Sequence, residues 1–180
     1  WTQKYYDVFT GTDDTELPTY NSNWSNVAGF DVLEIKSNGV EGTQVAAPSK
    51  AYLNNPSIAA DQSAAAAFRT TGEEAFVAVR SDATTKNAYV GRWDSGNDVY
   101  IDRIDDGTPT DISSGGVYVE FTPGAVLRLE IVGSNLELFV DGVSKLTATD
   151  STHSSGNPAF GVADNVTAPA IDDFIACEKE

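Results

Sequence analysis

The chain is 180 residues long, with 11 basic and 27 acidic side chains and a formal net charge of −16. That field repels phosphates and anionic bilayer surfaces, which excludes nucleic acid as a partner and argues against membrane association. A single cysteine (Cys177) excludes an intrachain disulfide or CxxC site, and a single histidine (His153) excludes zinc sites needing two imidazoles.

The acidic excess favours solubility, supplies carboxylates for calcium and suits a salty setting. No run of about 18 apolar residues is present, so no membrane insertion is expected. No basic, apolar-cored leader opens the chain. A start at Trp1, without methionine, is what a processed or excised fragment would show.

Taken in order, Tyr5–Phe9 reads as a first strand, followed by a polar turn at Gly11–Thr15, then Leu17 and Trp24. Phe30–Ile35 alternates, Asn38-Gly39 turns before Val40, and Tyr52-Leu53 is a short strand stopped by Asn54-Asn55-Pro56. Ile58–Arg69 is alanine-rich, which favours helix, yet it lacks an amphipathic face and is flanked by strands, so a long strand of small side chains is expected. Ala75–Val79, Ala88–Trp93 and Val99–Ile104 are three more strands, separated by Asp82–Thr85 and Asp94–Asn97 turns. Val117–Phe121 is expected to lead into a meander over Ala125–Asp150. There Leu127, Leu129, Ile131, Leu136, Leu138 and Val140 alternate with polar residues around breaks at Gly133 and Asp141-Gly142. Pro158–Val162 and Ile171–Cys177 close the chain. With no linker and no repeat, residues 1–180 are one domain, a sandwich or jelly roll.

Asp7-Val8-Phe9, the early Trp24, the run Leu138-Phe139-Val140-Asp141-Gly142-Val143, Ser155-Gly156-Asn157-Pro158 and the closing Ile171-Asp172-Asp173-Phe174 form one pattern. It resembles the concanavalin A-like lectin/glucanase superfamily, in particular laminin-G-like modules of bacterial extracellular and phage structural proteins, over roughly Asp7 to Ala176. The resemblance implies an all-β, two-sheet antiparallel jelly-roll β-sandwich. It also implies a structural calcium near the first and last strands, held by Asp7 and Asp172, with backbone carbonyls and Asp13 as candidates to complete the shell. A carboxylate bonded to turn amides explains either aspartate without metal. Asn23 and Asn165 lie in glycosylation sequons, which carry little weight in a bacterial or phage protein.

For enzymes of this superfamily the residues speak weakly. No Glu-x-Asp pair occurs, Glu130 and Glu137 read as solvent-face residues, and Arg128-Leu129-Glu130 matches a lyase pattern without its Gln-x-His. His153, with no nucleophile elbow in the chain, reads as a solvated loop histidine. A binding surface is better supplied. Tyr89, Arg92, Trp93, Tyr100, Asp102 and Arg103 lie on adjacent strands, and rings beside planar polar groups are what a sugar requires. Tyr89, Gly91 and Trp93 share a face, with Gly91 leaving room beside the rings; the competing reading packs Trp93 and Tyr100 in the core or at a subunit contact. The expectation is a non-catalytic, extracellular or virion-surface module for attachment or decoration, part of a phage virion or secreted bacterial assembly, with carbohydrate as partner. The alternative is a structural protein that binds only neighbouring subunits, and a glycan-cleaving enzyme ranks third.

Overall fold

The computed structural model describes residues 1–27, 32–42, 58–69, 75–162 and 171–180 in full and residues 49–53 as backbone. The described strands are, in chain order, β1 (Thr2–Asp7), β2 (Thr15–Glu16), β3 (Trp24–Asn26), β4 (Leu33–Lys36), β5 (Gly39–Gly42), β6 (Ser49–Leu53), β7 (Gln62–Phe68), β8 (Ala75–Ser81) and β9 (Ala88–Trp93). There follow β10 (Asp98–Asp105), β11 (Thr108–Asp111), β12 (Val117–Tyr118), β13 (Val126–Val132), β14 (Asn135–Val140), β15 (Val143–Thr149), β16 (Asn157–Val162) and β17 (Ile171–Glu178). One helical turn, α1 (Leu17–Tyr20), separates β2 from β3.

The strands form two antiparallel sheets, the jelly-roll sandwich expected from the sequence. The first runs β15-β14-β13-β7-β17-β5-β4-β2, with β1 also on β17; the second runs β11-β10-β9-β8-β16-β6-β3, with β12 also on β10. Several sequence-predicted segments differ: the first strand ends at Asp7, with Phe9 beyond it at positive φ, the alanine-rich strand begins only at Gln62, and Phe30–Ile35 is seen as β4, its first residues lying outside the described ones. Val117–Phe121 does not join the meander: only Val117–Tyr118 is strand, and it pairs with β10 in the other sheet. Val119 and Phe121 instead turn inward against the core.

The meander folds as read. Leu127, Leu129, Ile131, Leu136, Leu138 and Val140 are buried on its inner face, each contributing about 2 kcal/mol. Asp141 and Gly142 both take positive φ, the geometry of a tight hairpin turn. The alanine-rich β7 is a strand because β13 and β17 pair along both its sides, a tertiary effect that outweighs alanine's helical preference.

The second sheet meets the meander at Gly91. A Cβ there would lie 2.4 Å from Leu138 Cδ1 and 3.3 Å from Leu129 Cβ. The missing side chain therefore makes space for the opposite sheet, not for a ligand. Gly91→Ala should destabilise the fold by about 1–3 kcal/mol in denaturant unfolding, and Leu138→Ala in the same chain should recover part of that loss. A neutral single variant would show that the sheets separate freely at this point.

Candidate functional site

The β9–β10 register divides the six candidate binding residues. Trp93 pairs with Val99, Arg92 with Tyr100, Val90 with Asp102 and Tyr89 with Arg103. Partners across an antiparallel pair share a face, so Arg92, Tyr100 and Asp102 point outward while Tyr89, Trp93 and Arg103 point toward the other sheet. Tyr89 and Trp93 are buried at 0% and 3% exposure, and Trp93 packs edge-on against Phe121 with centroids 4.9 Å apart. The ring platform expected from Tyr89 and Trp93 is thus core, because both rings fill the space between the sheets.

Arg103 and Tyr89 serve one end of the sandwich. Tyr89 Oη donates to Asp150 at 2.6 Å, Arg103 Nη1 donates to its other oxygen at 2.7 Å, and the His153 backbone N–H donates to Tyr89 Oη at 3.0 Å. Burial pushes the Asp150 carboxyl upward, but bonds from Tyr89, Thr152 and Arg103 outweigh it and hold the group well below the usual carboxylate range. His153 is itself buried, its Nε2 2.9 Å from the Ile104 carbonyl and 3.3 Å from Asp105. The expected solvated histidine is a packed one.

On the outer face, Phe76 of β8, Arg92 of β9 and Tyr100 of β10 stand directly across from one another, with Gly161 beyond Phe76. The next row holds Ala159, Ala78, Val90, Asp102 and Asp111. Ala78, Ala159 and Val90 are buried and form a low floor beside the taller row. Arg92 lies 3.9 Å over the Tyr100 ring and donates Nε to buried Asp102 at 2.5 Å, with Asp94 3.9 Å away. Burial pushes the Asp102 carboxyl up, against the pull of Arg92. Gly116 closes against the rim of Tyr100, where a Cβ would come within 2.4 Å of Cζ. The guanidinium and phenol are therefore fixed by their neighbours. Phe76 escaped the sequence reading, although its place between the inward Ala75 and Val77 marks it as outward-facing.

The proposed calcium ligands have other partners. Asp7 accepts from Tyr5 Oη, the Phe9 backbone, Tyr20 Oη, Asn21 Nδ2 and Trp24 Nε1, five donors at 2.9–3.2 Å. Burial, then Asp7, pushes the Tyr20 hydroxyl up to about 12. Asp172 is ion-paired with Arg69 at 2.6 Å. A cation would have to displace N–H and O–H donors already aimed at Asp7, so these residues do not fit calcium. Among the described residues no group of three or more His, Cys, Asp or Glu could hold a metal.

Glu130 and Glu137 lie opposite each other on β13 and β14, on the outer face of the first sheet, and line a cavity of about 300 Å³. Glu130 is ion-paired with Arg128, and Glu137 accepts from Ser144 Oγ at 2.6 Å.

No family model and no curated protein matches the sequence. Solved structures do match. A carbohydrate binding module, CBM66, from Bacillus subtilis is 18% identical, with 87% of this chain and 92% of that one covered and a TM-score of 0.67. The Bacillus licheniformis β-glucanase is 9% identical over 100% and 99% of the two chains, with a TM-score of 0.61. The Caenorhabditis elegans galectin LEC-6 is 13% identical over 73% and 91%, with a TM-score of 0.51. The fold is thus concanavalin A-like. The expectation of a non-catalytic module is corrected by the same matches, because a β-glucanase follows this fold along its full length. The sandwich carries enzymes and binding modules alike, and the fold itself does not separate them.

Proposed function

We propose that the outer face of the second sheet binds carbohydrate, as part of a secreted bacterial or phage-borne assembly that attaches to or decorates a glycan surface. One observation carries this reading: Phe76, Arg92 and Tyr100 stand in register on three adjacent strands, beside a floor of small side chains. The Phe76 ring can receive the apolar face of a sugar, and the guanidinium stacked on Tyr100 supplies planar donors to hydroxyls. Asp102 and Tyr100 already hold Arg92 in place, so little ordering cost is left for the ligand to meet. The likeness to a carbohydrate binding module and to a galectin supports the ligand class.

The test is a glycan array probed with wild type, Phe76→Ala and Arg92→Lys. The lysine keeps a cation beside buried Asp102 but loses the planar fork and the stack on Tyr100. Specific binding should fall about tenfold in each variant, a loss of about 1.4 kcal/mol, with thermal unfolding little changed. Binding unaffected by both changes would remove this face from consideration. Absence of glycan binding, together with concentration-dependent self-association, would favour the structural, subunit-binding reading.

A further inference from the structure

The outer face does not end at β10. Asp98, two residues before Tyr100 and on the same face, is paired directly with Tyr118 of β12. Tyr118 thus joins the face that carries Phe76, Arg92 and Tyr100. It is 64% exposed, more than any other large hydrophobic side chain of the described residues.

That exposure is not the exposure of a loose loop. Asp111 accepts from the Ser113 backbone, Ser113 Oγ and the Gly115 backbone at 2.6–2.9 Å, while Ser113 Oγ accepts from the Ile101 backbone at 3.2 Å. Ile112 N–H donates to the Ile101 carbonyl and Val119 N–H to the Asn97 carbonyl, at 2.9 and 2.8 Å. Gly116 sits against Tyr100, and Val119 and Phe121 pack on the core, Phe121 against Trp93. The segment is pinned on both sides of Tyr118, and the tyrosine is its most exposed large side chain. A rigidly presented aromatic offers stacking area at low entropic cost.

Building on the carbohydrate reading above, we propose that Tyr118 is a separate outlying subsite of that face, so that the protein's ligand is an extended oligosaccharide and not a single terminal sugar. From β8 to β12 there are three interstrand steps, about 14 Å at ~4.8 Å each, more than one pyranose ring spans. Phe76, Arg92 and Tyr100 hold one part of the chain, and Tyr118 stacks on a unit further along it.

The experiment is calorimetric titration of wild type, Tyr118→Ala and Phe76→Ala with two size ladders, β-1,3-1,4-gluco-oligosaccharides and agaro-oligosaccharides, each from two to six units. Wild-type affinity should rise with length and then level off. Tyr118→Ala should bind the shortest active oligosaccharide as wild type does and lose about five- to tenfold on the longest, with unchanged thermal unfolding because the side chain is exposed. Phe76→Ala should weaken all lengths alike. Should Tyr118→Ala follow wild type at every length, or should it weaken all lengths equally, the outlying subsite is wrong while the carbohydrate face stands. If wild type binds no member of either ladder and nothing on the glycan array, both readings fall together.

Discussion

Replacing Asp7 with alanine should lower the thermal unfolding midpoint by about 12 °C. The change leaves the Tyr5 and Tyr20 hydroxyls, the Phe9 N–H, the Asn21 amide and the Trp24 indole N–H without their acceptor. Unmet buried donors cost about 1–3 kcal/mol each, partial relaxation reduces the sum to roughly 4 kcal/mol, and a chain of this size loses about 3 °C per kcal/mol. The loss falls on the aromatic box at the heart of this end of the sandwich, where Trp24 meets Tyr5, Phe160 and Phe174 at centroid distances of 4.8–5.5 Å. Asp7→Asn should do about half the damage. Tyrosine hydroxyls rotate and can accept from the new amide, whereas the Trp24 indole N–H and the Phe9 backbone N–H can only donate. Thermal scans of both variants check the ranking. An alanine variant within about 1 kcal/mol of wild type would show that the box holds without its carboxylate.

Gly156→Ala should be comparably severe, at roughly 4 kcal/mol. Gly156 has φ +140, and a Cβ on it would lie 2.4, 2.6 and 2.8 Å from the carbonyl carbon, oxygen and Cα of Arg80, a backbone that cannot swing aside. The site is a knot. Arg80 has φ +49, its N–H donates to Gln62 Oε1, and Gln62 Nε2 in turn donates to the Gly156 carbonyl. The buried Arg80 guanidinium then reaches the Ala60, Gly133 and His153 carbonyls, tying three loops together. Gly133→Ala separates strain from collision, since Gly133 has φ +59 but open space around its Cβ position. It should cost only about 1 kcal/mol. Urea midpoints of the two variants decide it, and equal losses would rule out the collision as the cause.

The proposed carbohydrate face was half legible. Tyr89-Val90-Gly91-Arg92-Trp93 alternates, but with apolar groups on both faces, so periodicity could not tell which side the sheet would bury. The choice fell to volume. Tyr89 and Trp93 fill the gap between the sheets, and Gly91 yields to Leu138 nearly fifty residues later, which leaves Arg92 outside with Tyr100 and Asp102. Phe76 and Tyr118 were not picked out because their role lies in cross-strand neighbours, which a linear reading does not supply.

What the sequence determined by itself was the class of structure. Period-two alternation and turn residues between short apolar runs required an antiparallel all-β sandwich, and the acidic excess a strongly negative field, because those properties act locally or by simple summation. What only the tertiary structure decided was partnership. Asp7 collects donors from several turns, β12 crosses to the other sheet, and one face of β9 becomes core while the other faces outward. Each depends on groups far apart in sequence competing for the same space or the same lone pairs, and that competition is settled only when the two sheets close on each other.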